Sequence, residues 1–205
     1  MNTSQSNAFR FYFDDMLRNG VPSDESIKQA KSVFNSLLDV NIEAIVTELA
    51  RLNESIVISS SDIPQYSSLP DCFHFVDKFI RSGLDGISYP QAGFLLRTNQ
   101  RKKGADCKYG ENHAKCAGLM GLCRIEKGKI WRNSFSYAYE EQDYSMKESL
   151  MPKLCLGIKM VRGYFQHLGS DGFIQETMSC LSESTKKRRK PNIMRLIYTV
   201  KESIK

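Results

Sequence analysis

Residues 88–132 read SYPQAGFLLRTNQRKKGADCKYGENHAKCAGLMGLCRIEKGKIWR, and this stretch decides the fold. Ser88 with Gln91 three positions later is a capping-box pattern, and the intervening proline suits a first helical turn. A short helix is therefore predicted to begin here. A basic loop follows over 97–105, and apolar residues at helical spacing then predict a second helix over about 107–122.

The helix over 107–122 has two chemically different sides. Its predicted buried side carries Tyr109, His113, Cys116, Ala117 and Met120. The other side carries Lys108, Glu111, Asn112 and Lys115, whose spacing of i, i+3, i+4 and i+7 places them on a single face. Gly110 leaves open whether the helix begins before it or at Glu111, in which case Lys108 would leave this face.

A basic hairpin is predicted directly after this helix. Two short β-prone runs, 122–125 and 130–132, flank a turn containing Lys127 and Gly128. The tip of the hairpin therefore carries positive charge.

The charge of the chain is concentrated in two blocks. The 205 residues include 29 basic and 23 acidic side chains, a net charge of +6. Residues 97–132 hold 10 basic and 3 acidic side chains, residues 186–205 hold 8 and 1, and the remainder is acidic. Two such blocks are typical of a surface that binds a polyanion, and a solvated loop with a charged tail is the alternative.

The flanking sequence is predicted to be helical on both sides. Apolar residues recur at helical spacing before residue 52 and over 150–168 and 171–182, and Pro191 is predicted to open a last helix. The acidic stretch 139–149 is predicted to be an exposed connector. The fold class is mainly α, with a helical N-terminal region over 1–66, a central module over 67–138 and a helical C-terminal region over 139–205.

Three short helices followed by a basic hairpin resemble the winged-helix variant of the helix-turn-helix fold, over roughly residues 70–138. The resemblance implies a central winged helix-turn-helix with a small β-hairpin wing. It also implies that the third helix enters the major groove of DNA and that the wing contacts the backbone or the minor groove. The stretch 109–115 is loosely similar to recognition helices of bacterial restriction and phage-defence proteins. The loop over 97–105 is longer than the three or four residues of a strict helix-turn-helix.

Residues of both basic blocks are predicted to contact DNA. On the third helix, Asn112 can bind adenine, lysine can donate to guanine, and Glu111 can accept from cytosine. Basic residues before that helix would bind phosphates, which sets register without reading sequence. The predicted contacts are Arg97, Arg101, Lys102, Lys103, Lys108, Glu111, Asn112, Lys115, Lys127, Lys129, Arg132, Lys186, Lys187, Arg188, Arg189 and Lys190.

The sequence does not favour a metal site. Cys107, His113, Cys116 and Cys123 lie within 17 residues. Structural zinc sites usually pair cysteines two to four residues apart, and these cysteines are nine and seven positions apart. Small buried thiols are the favoured interpretation, and no cofactor is expected.

Catalytic signatures are also weak. Asp143, Lys147 and Glu148 are the best candidate cluster for metal-assisted cleavage, and an exposed acidic connector explains them more simply. Trp131 could stack on a base, although a side chain that closes the core beneath the hairpin is favoured.

Three functional hypotheses follow. The first is a cytoplasmic, non-enzymatic protein that binds double-stranded DNA, as a transcriptional regulator or as the DNA-recognition component of a restriction or phage-defence system, in a homodimer or a larger complex. The second is a protein-interaction or scaffold subunit, which could also bind RNA, whose basic module docks an acidic partner. The third is an enzyme with an unrecognised metal site. A membrane location is not expected, because no apolar run approaches the ~20 residues of a spanning helix.

Overall fold

The computed structural model describes residues 10, 12–51, 56–66, 68–96 and 104–204. This part of the chain is mainly helical, with one small antiparallel sheet, so the predicted fold class is correct at that level. In chain order the elements are α1 (Asp15–Asn19), α2 (Asp24–Leu38), α3 (Ile42–Arg51), α4 (Leu69–Arg81), β1 (Ile87–Ser88), α5 (Tyr89–Leu95), α6 (Ala105–Leu119), β2 (Arg124–Glu126), β3 (Lys129–Trp131), α7 (Ser134–Glu140), α8 (Tyr144–Cys155), α9 (Lys159–Gln166), α10 (Asp171–Thr177), a 3₁₀ turn (Met178–Cys180) and α11 (Glu183–Glu202).

The sheet joins the predicted hairpin to a strand that precedes α5. Its order is β1-β3-β2, with Ile87 opposite Ile130 and Glu126 opposite Lys129. Lys127 and Gly128 connect β2 to β3 with φ values of 50° and 73°. Two successive residues of positive φ form the type I′ turn that matches the twist of a two-residue hairpin.

Helices α5 and α6 touch through two glycines. A Cβ atom on Gly110 would lie 2.1 Å from the carbonyl oxygen of Tyr89, and one on Gly93 would lie 1.9 Å from that of Asp106. Only glycine allows two backbones to approach so closely. The helix therefore continues through Gly110, and Lys108 stays on its polar face.

Two kinds of hydrogen bond satisfy the carbonyls at the C-terminal end of α6: backbone bonds from the residues that follow the helix, and a side-chain bond from Arg18. The N–H of Leu122 donates to the Ala117 carbonyl and that of Gly121 to Gly118, which is the Schellman pattern, with Gly121 at φ 80°. Arg18, in the last turn of α1, donates from Nη2 to the Leu119 carbonyl at 2.7 Å. This end of α6 is thus anchored to the N-terminal segment.

A single hydrophobic cluster includes residues from all three predicted regions. At its centre the ring of Phe135 in α7 stacks on Phe34 of α2 at 5.1 Å and meets the edge of Tyr12 at 5.4 Å. All three side chains are fully buried. Helix α2 and Tyr12 therefore pack directly against α7 of the central module.

The region after the hairpin differs from prediction. Residues 139–149 were expected to form a connector, but α7 extends to Glu140 and α8 begins at Tyr144. Local signals explain both starts, since the side chains of Asn133 and Asp143 accept the N–H groups of Ser136 and Met146. The predicted helix over 150–168 is also divided, because α8 ends at Cys155 and α9 begins at Lys159.

The last helix begins earlier than predicted. Pro191 was expected to open it, yet α11 starts at Glu183 and contains the proline in its interior. The basic run 186–190 is therefore helical rather than a segment before a helix. None of the helices that the structure describes is long and apolar enough to cross a membrane.

Candidate nucleic-acid interface

The polar face predicted for α6 is present and accessible. Lys108 and Lys115 are exposed, whereas Glu111 and Asn112 are half-buried between them. The opposite side packs inward as predicted, and His113 there is fully buried. Four groups able to form hydrogen bonds are thus presented along two turns of one helix.

Ion pairs neutralise part of this face. The Glu111 carboxylate accepts Lys108 Nζ at 2.8 Å and Lys115 Nζ at 2.6 Å. The hydrogen bonds from Lys108 and Lys115 keep the pKa of Glu111 below its ordinary value, so the side chain is an anion at neutral pH. Because both lysines are largely exposed, these pairs contribute little stability and can be exchanged for phosphate contacts.

The hairpin tip presents free polar side chains next to the end of α6. Lys127 and Lys129 are exposed, and β2 begins five residues after α6 ends. Arg124 and Glu126 pair on the adjacent strand at 2.9 Å. The tip therefore carries two accessible positive charges beyond that pair.

Arg132, predicted to contact DNA, is engaged within the protein. Its backbone N–H donates to Asp85 at 2.7 Å, its Nε lies 3.4 Å from the same carboxylate, and its guanidinium lies over the Tyr137 ring. Trp131 is half-buried, with Arg124 over its ring at 5.1 Å. Both side chains support the hairpin, and the favoured interpretation of Trp131 as a packing residue agrees with this position.

The predicted phosphate contacts before α6 lie outside the described residues. These are Arg97, Arg101, Lys102 and Lys103.

The second basic block divides into exposed and engaged side chains. Lys187, Arg188 and Lys190 are exposed on α11, whereas Lys186 pairs with Glu183 at 2.7 Å. Arg189 turns to the protein, where Nη1 donates to the Ser60 carbonyl at 2.7 Å. The Arg189 guanidinium is therefore engaged within the protein, and contact of these five residues with DNA stays a prediction.

Residues 60–66 connect the two basic blocks in space. On one side, Asn192 of α11 donates to the Gln65 carbonyl at 3.0 Å. On the other, the Tyr66 ring lies 4.4 Å from the His113 ring, and Cys116 Sγ donates to the Tyr66 carbonyl. We call residues 60–66 the bridging segment. It contacts α11 on one side and the buried side of α6 on the other, which sequence spacing alone does not show.

The prediction of buried thiols is confirmed for two of the cysteines near α6 and wrong for a third. Cys116 and Cys123 are buried thiols as expected, and burial raises the pKa of Cys123 to about 12, but Cys107 is exposed. No group of three or more histidine, cysteine or acidic side chains in the described part of the chain could hold a metal ion. Asp143 caps α8 and Lys147 pairs with Asp77 at 2.7 Å, so these two side chains do not converge.

Sequence reasoning missed a second group of cations. Arg18, Lys159 and Arg162 line one cleft, although they lie in segments far apart in the chain. No periodicity or local motif marks them, because only tertiary contacts bring them together: Arg18 with the Leu119 and Gly157 carbonyls, and Arg162 with the Phe13 ring.

Comparisons with protein-family models, with characterised proteins and with solved structures found no match to this chain.

Proposed function

We propose that this protein binds double-stranded DNA without catalysing a reaction, through a winged-helix module spanning residues 67–138. In this proposal α4, α5 and α6 are the three helices, and α6 enters the major groove. The loop between β2 and β3 is the wing, which contacts the backbone or minor groove. The protein would act as a transcriptional regulator or as the recognition component of a restriction or phage-defence system.

The observation that carries the proposal is the placement of accessible polar groups on α6 and on the hairpin that follows it. Lysine and asparagine on one helix face are suited to the acceptor and donor patterns of the major groove. The exposed lysines of the hairpin are suited to phosphates, which supply most of the non-specific affinity. The strand β1 before α5 pairs with β3 of the hairpin, which connects the hairpin to the helical part of the module.

The exposed basic residues of α11 extend the proposed DNA contact. Lys187 and Arg188 lie on a helix that contacts the bridging segment, and that segment meets α6 on the side opposite its polar face, so these residues form a second, separate basic contact. Arg189 contributes indirectly, because it holds the bridging segment in place.

Charge reversal on α6 tests the proposal. The double variant Lys108→Glu with Lys115→Glu should bind a random duplex at least about tenfold more weakly, because two phosphate or base contacts become repulsive. The slope of log affinity against log salt should fall by about 2. Fluorescence anisotropy of a labelled duplex over a series of salt concentrations measures both.

The matched control is Lys28→Glu with Arg51→Glu, which changes the net charge equally on the exposed surfaces of α2 and α3. If both double variants lose the same affinity, binding reflects net charge and the assignment of α6 is wrong. If wild-type protein shows no salt-dependent retention of DNA, docking of an acidic protein becomes the better interpretation.

Glu111→Gln should have the opposite effect. It releases Lys108 and Lys115 and removes one negative charge, so affinity for a random duplex should rise about three- to tenfold. Discrimination between sequences should decrease, because the amide no longer accepts preferentially from cytosine. Glu25→Gln on α2 is the control for the change in net charge. A loss of affinity for every sequence would contradict the view that Glu111 masks the two lysines.

A further inference from the structure

A cleft lies where four separate segments meet. Residues 13–19, Asp62, the end of α6 and the start of α9 surround a volume of about 300 Å³. This volume is at the lower end of the range of ~300–1,000 Å³ found for small-molecule sites. The charged side chains of its wall are Arg18, Lys159 and Arg162, opposed by Asp15 and Asp62.

Arg18 enters this cleft already oriented. Its guanidinium lies over the Tyr12 ring at 5.2 Å and donates to the carbonyls of Leu119 at 2.7 Å and Gly157 at 3.5 Å. Among the residues that the structure describes, no carboxylate lies within ion-pair distance of it. A held guanidinium whose partners are carbonyls keeps its full charge for an incoming anion.

The start of α9 adds more positive potential. Arg162 lies over the Phe13 ring at 3.9 Å and donates to the Leu156 carbonyl at 3.4 Å. Lys159 is 3.3 Å from Asp62. Ile158, the residue before α9, provides no capping side chain. The first N–H groups of α9 and the positive end of its dipole therefore also favour an anion at this end of the helix.

We propose that this cleft binds a small metabolite carrying more than one phosphate or carboxylate group. Arg18 and Arg162 would hold its oxyanions from two sides, and Lys159 would leave Asp62 to contact it. Multiple negative charges are required because the cleft already contains two carboxylates. The aromatic rings of Tyr12 and Phe13 keep the two guanidinium groups in position before the anion enters.

The same site can regulate DNA binding, a step that rests on the proposed function. Arg18 connects the cleft to α6, because its side chain lines the cleft and its Nη2 donates to the Leu119 carbonyl. An anion that draws Arg18 toward itself weakens this anchor at the end of α6. We therefore expect the bound anion to lower DNA affinity by about fivefold or more, the usual range for coupled sites.

Isothermal titration with pyrophosphate, fructose 1,6-bisphosphate and citrate tests the site, with sodium chloride at matched ionic strength as the blank. The expected result is saturable binding of at least one compound, and the three arms separate phosphate from carboxylate ligands. Lys159→Gln and Arg162→Gln should each weaken that binding by at least about tenfold, the equivalent of one lost charged contact. Lys159 is half-exposed, so its variant is expected to fold, and Arg51→Gln should bind as the wild type does.

Four outcomes decide between these possibilities. Absence of saturable binding at millimolar concentrations, or binding by both cleft variants that is as tight as that of the wild type, overturns the site. Anion binding that leaves the anisotropy of a DNA complex unchanged overturns the regulation. Anion binding by a protein that retains no DNA under any salt condition supports the site and contradicts only the proposed function.

Discussion

Gly110→Ala is expected to destabilise the protein by about 3 kcal/mol or more, at the upper end of the cost of overpacking a tight contact. The added Cβ would lie 2.1 Å from the carbonyl oxygen of Tyr89 and 2.5 Å from the backbone nitrogen of Gly93. Both neighbours are backbone atoms, so no side-chain rotation relieves the overlap and α5 must separate from α6. Urea unfolding followed by circular dichroism measures the loss.

Gly118→Ala on the same helix is the matched control. Its Cβ would make only an ordinary contact of 3.4 Å with the Ile125 side chain. Since alanine favours helix by about 1 kcal/mol over glycine, this variant should be as stable as the wild type or up to that amount more stable. Equal losses at both positions would mean that helix flexibility, rather than the α5–α6 contact, requires glycine.

Asn133→Ala should cost about 3 kcal/mol or more through a different mechanism. The fully buried amide donates from Nδ2 to the carbonyls of Arg18 at 2.6 Å and Gly121 at 2.9 Å, while its oxygen caps α7. Alanine leaves two carbonyls without their donor, at about 1–3 kcal/mol each when buried, and removes a cap worth about 1 kcal/mol. Thermal and urea unfolding should both report the change.

Two variants separate the cap from the connection. Asn41→Ala removes an exposed asparagine that accepts the Glu43 N–H, and should cost only about 1 kcal/mol. Asn133→Asp keeps the cap but directs an oxygen at the two carbonyls, so it should be at least as unstable as Asn133→Ala. Wild-type stability in Asn133→Asp would show that the hydrogen bonds to Arg18 and Gly121 contribute nothing.

Local signals were sufficient for the elements around the predicted interface. The Ser88–Gln91 capping box is present, with Gln91 accepting the Ser88 N–H at 2.8 Å. The Lys127–Gly128 turn joins β2 to β3 as predicted, because the turn chemistry is encoded in two adjacent residues. The two faces of α6 were also predictable, since periodicity alone separates them.

Other elements depend on contacts that no local pattern contains. The two residues of β1 form a strand because Ile87 pairs with Ile130, more than forty positions later. Residues 139–149 are acidic on average, and although Asn133 and Asp143 cap the starts of α7 and α8 locally, both helices also bury apolar side chains, Tyr139 and Leu150, in the core. Pro191 could lie inside α11 because the side of the helix around it is exposed, where a lost hydrogen bond is replaced by water.

The predicted interface also contains some residues whose position follows from local sequence and others whose position depends on tertiary contacts. Lys108, Asn112 and Lys115 lie where their spacing placed them, since a helix face is a local property. Arg132 and Arg189 resemble their neighbours in sequence, but Asp85 and the bridging segment engage them within the protein. Charge along a chain therefore predicts where cations occur, and only tertiary partners determine which of them remain free.

The bridging segment has a consequence for the order in which the protein matures. Synthesis proceeds from the N-terminus, so residues 60–66 and α6 leave the ribosome before Arg189 and Asn192 exist to hold the segment. His113 and Cys116 of α6 can pack against Tyr66 early and Lys159 can then pair with Asp62, but the hydrogen bonds from Arg189 and Asn192 form only once α11 is made. A nascent chain that ends before residue 189 should therefore be cleaved by protease within 60–66, and completion of the last helix should protect it.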